Sequence, residues 1–189
     1  MSKAAIRTEI RDRLRALDPQ QKADADRRIS DRVLELPEFQ HARRIFCYLP
    51  LATEVDTRPI VAHLLATHGA AYVPITDIDA RMLHVAEISS LDDLTEGPYG
   101  IPEPTDPRLV DPALIDLWIV PGIAFDRQGR RIGHGGGYFD TFFGAHPTSA
   151  PKVAVAYAFQ VVDGVPADDH DVPVDLVVTE DEIWIAEEG

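Results

Sequence analysis

The stretch Asp116-Leu117-Trp118-Ile119-Val120-Pro121-Gly122-Ile123-Ala124-Phe125-Asp126 runs on through Arg127-Gln128-Gly129-Arg130-Arg131-Ile132 to Gly133-His134-Gly135-Gly136-Gly137-Tyr138-Phe139-Asp140. It reads as a strand, a turn, a glycine-rich loop and a helix starting near Tyr138. Leu117–Val120 is apolar at every position, whereas a strand with one wet face would alternate. Val153–Ala156 and Leu176–Val178 repeat this pattern downstream, and Arg44–Leu49 and Ala70–Ile75 add compact runs upstream. Strands buried on both faces and separated by helical stretches predict an α/β fold: a single three-layer domain over residues 1–189, with a mostly parallel sheet and helices on both faces.

The loop within this stretch carries chemistry. Four glycines fall within the five residues 133–137. Lacking Cβ, they let the backbone approach a ligand and turn successive N–H groups toward one point, an anion nest reinforced by the following helix N-terminus. Arg130 or Arg131 supplies a guanidinium fork for phosphate oxygens. No Gly-Lys-Ser/Thr closes the loop, so it is not a Walker P-loop, and its spacing is not that of the dinucleotide fingerprint. Asp140, just beyond the nest, is placed either to hold Mg²⁺ against bound phosphates or to stand as an ordinary helix carboxylate. His134 reads more simply as a hydrogen-bond donor in the nest than as a proton-transfer group.

Helices occupy the N-terminal third. Ile6, Ile10, Leu14 and Leu17 recur at three- and four-residue steps. Asp18 before Pro19 marks a second start, with Ile29, Val33, Leu34 and Leu36 as its apolar face. Thr57 is expected to cap a further helix through His68, with Gly69 past its end. Met82–Ile88 alternates as a strand, Ser90–Leu94 reads as a helical turn, Gly97–Pro112 as a loop, and Ile183–Ile185 as a last short strand.

Acidic residues outnumber basic ones by 32 to 18, a formal charge of −14. That field repels a nucleic-acid backbone, so no nucleic-acid partner is expected. No run of about 20 apolar residues occurs, so no membrane span is expected. The first residues lack a signal-peptide core, and Cys47, the only cysteine, lies in an apolar run where a buried thiol is expected. A cytoplasmic monomer is the expectation.

The run Phe125–Asp140 closely resembles the signature of the 5-formyltetrahydrofolate cyclo-ligases. Three further segments fit in order: Lys3 with Arg7; Tyr48-Leu49-Pro50-Leu51-Ala52-Thr53-Glu54-Val55-Asp56-Thr57; and His170-Asp171-Val172-Pro173-Val174-Asp175 leading to Thr179-Glu180. The resemblance implies conversion of 5-formyltetrahydrofolate to 5,10-methenyltetrahydrofolate as ATP becomes ADP and phosphate, with Mg²⁺. The formyl oxygen would take the γ-phosphoryl group, and attack by the second folate nitrogen would close the ring and expel phosphate.

By the same resemblance, Lys3 and Arg7, four apart on one helix face, reach ATP phosphates. Arg131, Ile132, Gly133, His134, Gly135, Gly136, Gly137, Tyr138 and Phe139 form the ATP site, with Arg131 and Tyr138 in catalytic roles. Leu51, Glu54 and Asp56 contact the reduced folate, together with residues 134–138, and Asp140 and Asp171 hold the metal. Without the resemblance, Lys3 and Arg7 read as solvated charges, and Glu54 and Asp56 as helix-capping acids. Phe139 stands where the family commonly has a second tyrosine, and Asp56 where some members have glutamate. On local chemistry alone, two other readings stay open. One is a folate- or nucleotide-binding regulator without turnover, the other a sugar-phosphate or acyl-transfer enzyme on a similar scaffold.

Overall fold

Ser2 and Asp18 open the first two helices in the computed structural model, which describes residues 1–186. The last three positions of the expected 1–189 domain lie outside the described residues. Ser2 Oγ accepts the Ala5 N–H and starts α1 (Lys3–Ala16). Asp18 accepts the N–H groups of Gln20 and Gln21 and starts α2 (Pro19–Glu35), with Pro19 in the first turn, where its missing N–H costs nothing. A short α3 (Pro37–His41) leads to β1 (Ile45–Cys47).

The chain continues through α4 (Arg58–His68), β2 (Ala71–Asp77), β3 (Met82–Ile88), β4 (Leu94–Glu96), β5 (Pro102–Pro104), β6 (Arg108–Val110) and β7 (Leu117–Val120). A hairpin of two-residue strands follows, β8 (Ala124–Phe125) with β9 (Arg131–Ile132), then α5 (Tyr138–Ala145), β10 (Lys152–Val155), β11 (Leu176–Val178) and β12 (Ile183–Ile185).

Eight strands form the main sheet in the order β12-β11-β10-β7-β1-β2-β3-β6. The central five, β11 to β2, are parallel, while β12, β3 and β6 add antiparallel edges. Each central strand feeds both faces. Ile45, Cys47, Leu117 and Ile119 point into a core shared with Ile6, Ile10, Ile29 and Ile60 of α1, α2 and α4. Phe46, Trp118 and Val120 point into a second core with Phe142 and Phe143 of α5. This is why those strands are apolar throughout, and why the expected three layers form. Cys47 is fully buried, and burial pushes its thiol pKa up to about 12.

Two local expectations are corrected. Thr57 precedes α4 but makes no side-chain cap bond. Its hydroxyl donates to the Tyr48 carbonyl at 2.6 Å, and the Asp56 carboxylate takes the Arg58 N–H at 3.0 Å instead. The segment Gly97–Pro112 is not simply loop: β5 pairs with β4, and β6 extends the main sheet beside β3. These three-residue pieces are too short for periodicity to reveal.

The strand order places the site. From β1 the chain moves outward to β2, whereas β7 lies on the other side of β1 and leads away to β10 and β11. The reversal between β1 and β7 opens a crevice at their carboxyl ends. The segments leaving those ends begin at Tyr48 and Pro121, the two stretches singled out above.

Candidate active site

A cavity of about 350 Å³ fills this crevice. Leu49, Leu51, Pro74, Leu83 and Ile101 give it an apolar wall, and residues of the glycine loop close the opposite side. Apolar walls with a few convergent polar groups are the usual make-up of a small-molecule site.

Arg131 anchors the polar side. Carried by β9, its guanidinium donates to Asp140 Oδ1 at 2.7 Å, with the two side chains 4 % and 15 % exposed. Burial lowers the Arg131 pKa below that of a free guanidinium, while Asp140 and Asp171 oppose that effect. An arginine so placed is still charged at neutral pH. Asp140, in the first turn of α5, also accepts the Val172 N–H on Oδ1 at 3.1 Å. One carboxylate thus joins β9, α5 and the loop before β11.

The glycine loop spans the gap between β9 and α5. Gly135 and Gly137 hold φ of +110° and +70°, a left-handed region costly to side chains. Helix α1 braces the loop from outside: Arg7 Nε donates to the Gly133 carbonyl at 2.9 Å and Arg11 Nη2 to the His134 carbonyl at 2.8 Å. Lys3, one turn earlier, reaches Asp168 Oδ2 at 2.7 Å and also pairs with Asp171. The ends of α1 and of the 168–172 loop therefore meet beside Asp140.

His134 bridges the two halves of the crevice, its Nε2 lying 2.7 Å from Glu54 Oε1. The other Glu54 oxygen accepts the Leu51 N–H at 2.7 Å, which folds the segment after β1 into a tight turn. Across the mouth, the Tyr138 and Tyr99 hydroxyls lie 3.0 Å apart. That hydrogen bond raises the Tyr138 pKa.

Of the residues expected from sequence, Leu51, Glu54, Arg131, Gly133, His134, Gly136, Gly137, Tyr138, Phe139 and Asp140 all line the cavity. Lys3, Arg7 and Asp171 do not line it, but adjoin it through the contacts above. Ile132 is buried under the loop, and Gly135 is exposed at its apex. The Phe139 ring takes an edge contact from Phe46 and lies beneath the Arg131 guanidinium. Asp56 turns toward Arg58, which binds it at 2.8 and 2.7 Å. It lines a neighbouring groove that shares Leu49, Leu51 and Glu54 with the main cavity.

Tyr99 escaped sequence reasoning. It stands in a turn between Gly97-Pro98 and Gly100, in the left-handed region with φ of +58°, and 63 % of its surface is exposed. An aromatic between glycines in a loop was the available signal. Arg11 reads as one more solvated helix charge, and only the fold shows which carbonyl it meets.

Fold and site together define a doubly wound α/β protein with a glycine-rich loop and an apolar cavity at its switch point. Residues 1–180 match the 5-formyltetrahydrofolate cyclo-ligase family. The chain belongs to that family, whose members are ligases. It is 32 % identical to the mitochondrial 5-formyltetrahydrofolate cyclo-ligase of Arabidopsis thaliana, over 94 % of this chain and 73 % of that one. It is 30 % identical to the Escherichia coli (strain K12) 5-formyltetrahydrofolate cyclo-ligase, over 93 % of this chain and 98 % of the relative. The solved 5,10-methenyltetrahydrofolate synthetase of Aquifex aeolicus superposes with a TM-score of 0.87 at 30 % identity, covering 100 % of this chain and 95 % of that one. No helix among the described residues is long and apolar enough to cross a membrane.

Proposed function

We propose that this chain closes the imidazoline ring of 5,10-methenyltetrahydrofolate from 5-formyltetrahydrofolate, using ATP with Mg²⁺ and releasing ADP and phosphate. The supporting observation is the convergence, beside one apolar cavity, of a buried Arg131–Asp140 pair, a glycine-rich nest and the end of α1. Phosphate oxygens would meet the loop N–H groups and the Arg131 guanidinium, with Lys3 and Arg7 nearby. The flat folate ring would enter along Leu49, Leu51 and Tyr138.

The reaction replaces a poor leaving group with a good one. The formyl oxygen attacks the γ-phosphorus and the bond to ADP breaks. The second folate nitrogen then attacks the formyl carbon and releases its proton, the carbon–oxygen bond breaks, and phosphate leaves carrying the formyl oxygen. Positioning and charge stabilisation supply most of such catalysis. Arg131 is held in place before substrate arrives, so it needs no reorganisation as charge develops on the phosphoryl oxygens. Glu54, fixed by His134 and Leu51, would orient the folate.

The carboxylates suit a hard cation. Asp140 takes both of its protein hydrogen bonds on Oδ1, and Asp171 takes those from Lys3 and Asp168 on Oδ2. Each leaves its second oxygen for an ion that prefers oxygen ligands. Mg²⁺ held there would neutralise phosphate charge during transfer. ADP release tests the proposal: it should depend on reduced folate and stop when magnesium is chelated. ADP released at the same rate without folate would contradict it.

A further inference from the structure

Glu54 and Asp56 sit on a segment that carries no regular structure between Tyr48 and α4, yet the crevice needs Glu54 in one place. What fixes it comes from two distant parts of the chain. Asp26, on the buried side of α2, accepts the Tyr157 hydroxyl on Oδ1 at 2.7 Å across 131 residues of sequence. The same oxygen accepts the Asp56 N–H at 3.2 Å, and Oδ2 takes Lys22 Nζ at 2.7 Å. Tyr157, which leaves the carboxyl end of β10, also directs its hydroxyl at the Glu54 carbonyl, 3.3 Å away.

Asp26 is only 9 % exposed and Tyr157 1 %. A carboxylate and a phenol so deep cost free energy unless every bond is made. An apolar pair would fill the same space without that cost. The polar pair instead holds the Asp56 N–H on Asp26, and the one Tyr157 hydroxyl proton, given to Asp26, lies close enough to the Glu54 carbonyl to be shared with it. Neither Asp26 nor Tyr157 lines the cavity.

We infer that Asp26 and Tyr157 are positioning residues for the substrate-contacting segment 51–57, acting on reduced folate through Glu54. The inference rests on the reading of Glu54 under the proposed function. Tyr157→Phe removes one hydroxyl and keeps the ring. Asp26→Asn keeps an oxygen acceptor for Tyr157 and Asp56, whereas Asp26→Ala removes it.

Two measurements on the full chain decide the matter. In Tyr157→Phe, amide exchange at Asp56 and Leu51 should quicken at least tenfold, with exchange in β1 and β7 unchanged. The KM for 5-formyltetrahydrofolate should rise fivefold or more while the KM for ATP stays within twofold. Asp26→Asn should recover most of what Asp26→Ala loses. Unchanged exchange at residues 51–56, or equal rises in both KM values, would overturn the assignment. A wild-type chain that turns over no reduced folate would instead refute the proposed function, and exchange alone would then judge the anchor.

Discussion

Arg131 and Asp140 form a withdrawn ion pair at 2.7 Å, one partner on the short strand before the glycine loop and the other on the helix after it. The pair pins both ends of the loop, so the loop is shaped before any ligand enters. Removing one partner leaves a buried charge uncompensated, which costs about 3–5 kcal/mol in comparable cases. Arg131→Ala and Asp140→Ala should each lower kcat at least tenfold, about 1.4 kcal/mol of transition-state stabilisation. Both should also melt earlier. Asp140→Asn, which can still accept from Val172, should lose rate with less loss of Tm. Steady-state kinetics alongside thermal melts check this, and near-normal turnover in both alanine variants would mean the loop is not the phosphate site.

The His134–Glu54 bridge predicts a split between the two substrates. Glu54→Ala removes the bonds to both His134 and the Leu51 N–H, so the KM for reduced folate should rise tenfold or more. His134→Ala removes only the first bond and should have a smaller effect on the same constant. Equal effects of both substitutions on the KM for ATP would argue that the bridge serves the nucleotide instead.

Docking of α1 should be pH-dependent through Lys3 and Asp171. Burial pushes the Asp171 carboxyl up, but Lys3 and the Asp168 N–H outweigh it and bring the pKa below its ordinary 3.8. Burial also works against the Lys3 ammonium, and the two aspartates outweigh it, raising the pKa above 10.5. The lowered carboxyl stabilises the fold above its unfolded pKa, and this is lost as pH falls through the folded value. The raised ammonium stabilises fully below its unfolded pKa, and this is lost as pH rises through the folded value. The contribution is thus flat between about pH 5 and 9 and declines on both flanks. Lys3→Met should lower the plateau and flatten the acid flank in a series of melts. An unchanged acid flank would contradict the pairing.

Asp18 offers a control remote from catalysis. It caps α2 through two backbone N–H groups. Asp18→Ala should cost about 1 kcal/mol, a Tm shift of about 2–4 °C for a chain of this size, with both KM values unchanged. A kinetic change would show that α2 couples to the crevice through more than Asp26 and Lys22.

Much of this was legible in the sequence where one residue's neighbours decide its role. Leu117–Val120 announces a doubly covered strand because each of its four residues is apolar, and Asp18-Pro19 announces a helix start because both act locally. The glycine loop stands out for the same reason. The family's ordered segments brought Lys3 and Asp171 into view together, a convergence that local chemistry does not give. Asp56 turned aside because Arg58, two residues on, competes for its carboxylate. Thr57 failed as a cap because the Tyr48 carbonyl needed its hydroxyl. Tyr157 and Asp26 lie 131 residues apart, and no spacing rule connects an α2 aspartate with a tyrosine after β10. The antiparallel edge strand β6 is three residues long and mostly exposed, so it left no periodic trace.

The most direct measurement is near-ultraviolet absorbance when fresh 5-formyltetrahydrofolate, ATP and Mg²⁺ are mixed with the purified chain. The account predicts a rise from 5,10-methenyltetrahydrofolate that requires all three and is at least tenfold slower with Arg131→Ala. No absorbance change with the wild-type chain, or a rise that does not need ATP, would contradict it.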